Sequence, residues 1–211
     1  MKLTKYGHAC LLVEEVGARL LLDPGSFSEG FEGLTELDAI LITHNHPDHL
    51  AAAAISALLK ANPGAKVYAD PDSIKPLHEA SITAAAVAPG AKLNIAGVAV
   101  EVFGGAHAPI HRDMPGLTNA AYMIAGRLLH PGDSHTVPGV PVEILALPTV
   151  APWSKVEETI DYLRAVNPKV FVPIHDAITT APDMYAQMIA GFNTHLEARL
   201  VELTDGQPVE L

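Results

Sequence analysis

His44, His46, Asp48 and His49 fall within six consecutive positions of the stretch THNHPDHL, residues 43–50, directly after the apolar run Ala39-Ile40-Leu41-Ile42. Imidazole and carboxylate are ligands for Zn²⁺ and also suit Mn²⁺ or Fe. Side chains at i and i+2 of an extended chain point the same way, so His44 and His46 can converge on one ion. Pro47 pushes His46 towards an extended conformation and lets the chain turn. Asp48 and His49 then approach from a different direction. Four donors in two orientations suit two adjacent ions better than one. The competing reading is a polar loop with incidental histidines, and four donors at the end of a buried strand weigh against it.

A two-metal site needs more donors, and three further stretches offer them. GGAHAPIH (104–111) carries His107, HPGDSH (130–135) carries Asp133, and VPIHD (172–176) carries His175. Each follows a strand candidate, where the loops of a rigid scaffold usually carry function.

The elements that position these loops are legible as hydrophobic periodicity. Leu3–Tyr6, Ala9–Glu14 and Arg19–Leu22 are short strand candidates divided by Gly7 and Gly17. Ala39–Thr43 is wholly apolar before Thr43, as expected of a strand buried on both faces. Leu50–Ala61 reads as a helix stopped by Asn62-Pro63-Gly64, Lys66–Ala69 as a strand and Ser73–Ala80 as a short helix. Val98–Phe103, Ala120–Ala125, Arg127–Leu129 and Glu143–Leu147 return to strand. Trp153, Val156, Ile160, Leu163 and Val166 follow helical spacing, and Trp153 is expected as first anchor of that helix, the alternative being a wall of a substrate cleft beside the metals. Val170–Ile174 and Arg199–Leu203 are strands, and Thr180 with Asp183 forms a capping box for a helix to about His195. No linker, low-complexity tract or close internal repeat is visible. This order predicts an α+β fold in one domain, 1–211, with two packed sheets and helices outside.

Composition narrows the partners. The formal net charge is −11, which opposes non-specific binding to nucleic acid or an anionic membrane. A single cysteine, Cys10, excludes an intrachain disulfide and fits a reducing compartment. The most apolar run, Leu50–Leu59, is half of the ~20 residues a bilayer span requires. No secretory signal is visible, so the expectation is a cytoplasmic protein with a small-molecule substrate and no nucleic-acid or membrane partner.

The block His44-x-His46-x-Asp48-His49, followed by His107, Asp133 and His175, resembles the metallo-β-lactamase-fold hydrolase superfamily. The segments GHACLLVE and LLLDPG extend the resemblance over nearly the whole chain. It implies an αββα sandwich of two β-rich halves, roughly 1–96 and 97–211, with metals at one edge of the sheets. By resemblance His44, His46 and His107 hold one ion, Asp48, His49 and His175 the other, and Asp133 bridges both. Branches differ at these positions. Antibiotic-cleaving members often carry cysteine where Asp133 stands, and flavodiiron-type members carry glutamate where His46 stands. Glyoxalase-II-like members add a helical domain, and the tRNA-processing branch adds a protruding arm. The chain is most similar to the compact branch containing ascorbate-phosphate lactonase-like and uncharacterised hydrolases.

The implied chemistry is hydrolysis of a small-molecule ester, lactone or phosphodiester, with two divalent ions, Zn first and Mn or Fe as alternatives, activating a shared water. Asp48 would orient that water. His111 and His135 are proton-donor candidates, each balanced against plain exposure. His8, in the GHAC turn, either supports a metal ligand or packs. Asp23 either bonds a ligating imidazole or only forms its Asp-Pro-Gly turn. Arg112 and Lys155 are the only cations close in sequence to these loops, and are candidates for a substrate carboxylate or phosphate. His130 is expected to end its strand, and His78 and His195 to be ordinary helix residues. Two alternatives stand beside the hydrolase: a nuclease, which would need a basic groove, and a metal-binding module without catalysis.

Overall fold

A computed structural model describes residues 1–211. Strands β1 (Lys2–Lys5), β2 (Leu11–Glu15) and β3 (Ala18–Leu22) form an antiparallel meander. Strands β4 (Ala39–Ile42), β5 (Lys66–Ala69) and β6 (Ala84–Ala86) join it in parallel, with helices α1 (Ala52–Ala61) and α2 (Pro71–Glu79) as crossovers. A second sheet repeats the scheme. Strands β7 (Lys92–Ile95), β8 (Val98–Gly104), β9 (Ala120–Ile124) and β10 (Leu128–His130) are antiparallel. Strands β11 (Ile144–Pro148), β12 (Val170–Ile174) and β13 (Arg199–Leu200) follow in parallel, with α3 (Val156–Val166) and α4 (Pro182–Phe192) between them. Strand β14 (Val209–Glu210) returns to the first sheet and pairs antiparallel with β1.

Alternation along the strands builds three apolar layers. Leu20 and Leu22 of β3 face the second sheet, against Val98, Val100, Val102 and Tyr122, while Leu21 faces the helical side with Ile40, Ile55 and Leu58. On the far side Met123, Leu145 and Phe171 pack under Ile160, Leu163 and Ile189 of α3 and α4. Burying each such leucine fully contributes about 1.5–3 kcal/mol. The architecture is the expected αββα sandwich of two packed mixed sheets. No helix is long and apolar enough to cross a membrane.

Several boundaries differ from expectation for physical reasons. Leu50 and Ala51 stay outside α1 because their amides bond His46 O and Pro24 O, which fixes the histidine loop instead. Thr180 does not cap α4: Ala181 is the N-cap, without a side-chain cap bond, and Pro182 opens the helix. That helix ends at Phe192, short of His195. Trp153 is not the first anchor of α3, which starts at Val156. It lies in the preceding loop. The last predicted strand shrinks to Arg199–Leu200.

Candidate metal centre

The candidate donors leave the ends of five strands at one rim of the sandwich. Thr43-His44 continues β4, His107 follows β8, Asp133 follows β10, His175 follows β12, and His8 follows β1. The Asp23-Pro24-Gly25 turn after β3 braces the histidine loop. Ser26 N–H bonds Pro47 O at 2.8 Å, and a Cβ on Gly25 would lie 1.8 Å from Asp48 O. His107 and Asp133 are tied through backbone, since Ala108 N–H bonds Asp133 O at 2.8 Å. His8 and His175 are tied the same way, by His175 N–H to His8 O at 2.9 Å.

Two groups of donors result. His44, His46, His107 and Asp133 have one ligand atom each within 4.8 Å of the others, and so do His8, Asp48, His49 and His175. Asp133 lies between the groups. Its Oδ2 is 3.4 Å from His107 Nε2 and 3.1 Å from His175 Nε2, and its Oδ1 is 3.1 Å from His49 Nε2. The seven residues expected from the sequence are therefore brought to one place, with His8 added.

Hydrogen bonds decide which ring nitrogen each histidine presents. His49 Nδ1 donates to Asp23 Oδ2 at 2.7 Å, and His175 Nδ1 to Val150 O at 2.7 Å. His107 Nδ1 donates to Ala108 O. Thr43 Oγ1 donates to Asp23 Oδ2 at 2.6 Å, so it accepts from His44 Nδ1 at 3.0 Å. All four rings thus turn Nε2 inward, the nitrogen left free to bind an ion. Such partners fix the tautomer of metal-binding histidines. His46 is the exception and presents Nδ1, 3.1 Å from His44 Nε2.

Three buried atoms of the cluster, His49 Nε2, His107 Nε2 and Asp133 Oδ1, have no hydrogen-bond partner. An unpartnered buried acceptor is costly. Lone pairs converging from rings and carboxylates are the donor set of a divalent-cation site, so these residues fit bound metal.

His8 has a different role from the rest. Ala177 N–H points at its Nδ1 at 3.4 Å, which leaves the proton on Nε2, 3.0 Å from Asp48 Oδ2. His8 therefore donates to Asp48 and orients it. Trp153 does the same for Asp133, with Nε1 donating to Oδ2 at 2.7 Å. The sequence alone did not assign these two bonds, because they join residues far apart in the chain. Only the GHAC turn pointed towards the first.

Electrostatics follow from this packing. Burial pushes the His44 and His46 pKa values down, and neighbouring imidazolium charge pushes them further, so both rings are neutral. Burial works against charge on His49 as well, but the Asp133 and Asp23 carboxylates overcome it and raise its pKa. Burial would raise Asp48, yet the His8 hydrogen bond and the His49 charge bring it down to about 2. Asp133 is likewise held well below the carboxylate range by His49, His107 and His175 against its burial.

Other candidates lie outside the cluster. His111 is exposed and its Nδ1 accepts from Asp113 N–H at 3.2 Å. His135 stacks on Tyr162 at 4.9 Å between ring centroids, and its Nε2 is 3.3 Å from Ser154 Oγ. Arg112 and Lys155 point into solvent, with side chains 89% and 76% exposed. His130 is buried and bonds Ala9 O at 3.0 Å.

Comparison with known proteins agrees with this geometry. A family model described as "Beta-lactamase superfamily domain" matches residues 2–175. Protein Rv0786c of Mycobacterium tuberculosis is 50% identical over 188 residues, 87% of each chain. A UPF0173 metal-dependent hydrolase of Thermoplasma volcanium is 25% identical, covering 100% of this chain and 99% of its own. Among solved structures, Igni18, a metallo hydrolase from Ignicoccus hospitalis, has the same fold. It superposes with a TM-score of 0.75 at 20% identity, over 100% of this chain and 98% of that one. The chain belongs to the beta-lactamase superfamily domain family and is a metallo-β-lactamase-fold hydrolase.

Proposed function

We propose that the protein is a binuclear metal-dependent hydrolase of a small-molecule ester, lactone or phosphodiester. The observation that supports it best is the pair of adjacent four-residue donor groups, one of them containing Asp133, with three buried polar atoms left unpartnered. His44, His46 and His107 would hold one ion and Asp48, His49 and His175 the other, with Asp133 placed between the two sets. When bound, two divalent ions supply Lewis acidity and an acidified water, whose pKa falls towards ~7. Zinc fits a set of five imidazoles and two carboxylates, and Mn or Fe fits it too.

The chain's own groups do the rest. Asp48 is ionised at neutral pH, so it can accept a hydrogen bond from the attacking water and hold it in line. His8 keeps Asp48 in place. Asp23 and Thr43 lock the His49 and His44 tautomers, so the donor atoms need no reorganisation. Trp153, Pro152 and Phe27 wall the cavity above the cluster.

Metal analysis of the purified protein, with Asp133→Ala and His46→Ala beside it, tests this reading. Two ions per chain, lost in the variants together with turnover of a generic ester and phosphodiester panel, are expected. A full complement of metal with full activity in either variant would overturn the ligand set. Bound metal with no turnover on the panel would favour the binding module.

A further inference from the structure

The cavity over the cluster has a volume of about 320 Å³. Its floor is His46, Asp48, Asp133 and His175, and its walls are Phe27, Ile110, Pro152, Trp153 and Ile178. Three of those wall residues are large apolar side chains left open to solvent: Phe27 is 51% exposed, Ile110 38% and Ile178 43%. A side pocket of about 80 Å³ opens next to it, sharing His46 and Ile110 and lined further by Met114 and Leu117. Exposed apolar groups gathered around a polar floor mark a ligand-binding surface.

No lysine or arginine lines either cavity. Arg112 lies beside Asp113 and Lys155 beside Glu157, both in solvent. Lys5 is the cation nearest His8 in the sequence, and it is held at 2.5 Å by Asp176 in a buried ion pair. It faces an adjoining groove of about 500 Å³, which shares Phe27 with the cavity and reaches His8, and whose other charged residues are Glu29, Asp176, Asp183 and Asp205. Beyond the metal ions, anionic substrates are normally held by arginine or lysine as well. Here that clamp is missing, and the whole chain carries a formal charge of −11.

We infer that the substrate is uncharged and carries an apolar acyl or alkyl chain: a neutral ester or lactone, not a phosphodiester. The reacting carbonyl sits over Asp48 and Asp133, and the chain runs along Ile110 and Ile178 towards Met114. This inference rests on the hydrolase reading and narrows its substrate class. Cavities of this size hold a small molecule.

Trp153 is the single tryptophan and lines the cavity, so its emission reports occupancy independently of turnover. The experiment titrates metal-reconstituted protein with γ-decalactone, with γ-butyrolactone and with dibutyl phosphate. In parallel it follows turnover of p-nitrophenyl hexanoate and bis-p-nitrophenyl phosphate. About two buried methylenes correspond to a tenfold gain in affinity. γ-Decalactone is therefore expected to bind at least tenfold more tightly than γ-butyrolactone, and more tightly than dibutyl phosphate. Ile178→Asn, at an exposed wall position, should lose about tenfold of the γ-decalactone affinity without losing metal. Tighter binding of dibutyl phosphate, or equal binding of the two lactones, overturns the inference. Turnover of the phosphodiester alone overturns it too, but leaves the hydrolase reading intact. Chain-selective binding with turnover of neither ester nor phosphodiester instead overturns the hydrolase reading.

Discussion

Asp23 Oδ2 takes two buried hydrogen bonds, from His49 Nδ1 at 2.7 Å and from Thr43 Oγ1 at 2.6 Å. One carboxylate thereby sets the orientation of rings on both sides of the cluster, because Thr43 passes the constraint on to His44. In Asp23→Asn an amide placed at Oδ2 would meet two donors, and His49 could escape only by moving its proton to Nε2. Metal affinity should fall by about 10–100-fold with the fold intact. Competition against a chromophoric chelator measures this, and unchanged affinity would remove Asp23 from the site.

His8→Leu deletes the donor to Asp48 Oδ2 and keeps the buried volume apolar. The Asp48 carboxyl should return towards the ordinary carboxylate range, from about 2. Metal release on acidification should then begin at higher pH than in the parent protein. Equal release profiles in parent and variant would reduce His8 to a packing residue.

Metal-free protein should be most stable near pH 6.5, the ordinary histidine value. Burial depresses His44, His46, His8, His130 and His135, so the unfolded chain takes up protons first as pH falls below 6.5, and stability drops. His49 and His175 are raised, burial notwithstanding, by Asp133 and their other partners, so their contribution is lost as pH rises through the folded values. Thermal midpoints of chelator-treated protein between pH 4.5 and 9 should pass through a maximum. A midpoint that climbs steadily to pH 9 is incompatible with charged His49 and His175.

Gly25→Ala should cost both stability and metal. Its Cβ would fall 1.8 Å from Asp48 O and 2.4 Å from His49 N, and both are backbone atoms of the ligand loop. The loop must move by more than an ångström, and about 1 Å of misplacement costs on the order of 10²-fold in rate. Gly33→Ala, where nothing lies within 4 Å, is the matched control. Similar behaviour of the two variants in melting and metal titration would show that the contact is unimportant.

The sequence made the donors legible because they are concentrated. His44, His46, Asp48 and His49 stand together, and His107, Asp133 and His175 each follow a recognisable strand. The long strands and the α3 face were legible for the same reason, a strong period. The supporting residues were not. Trp153 fits a helical stripe as well as a cavity wall, and only tertiary structure carries its indole to Asp133. Ala84–Ala86 and Val209–Glu210 are too short to show alternation and exist because a neighbouring strand offers an edge. The repeated strand scheme of the two sheets is also invisible as a sequence repeat, since topology survives when side chains do not.

The donors come from both sheets: His44 to His49 from the first, His107, Asp133 and His175 from the second. An ion held by donors from both sheets is therefore a cross-link between two layers that must already have docked. Its binding energy is absent from any folding transition state in which the sheets have not yet met. Metal should slow the opening of the sandwich and leave the rate of its formation nearly unchanged. The centre would then serve as a latch on the native state, and its loss would register first as a shorter lifetime.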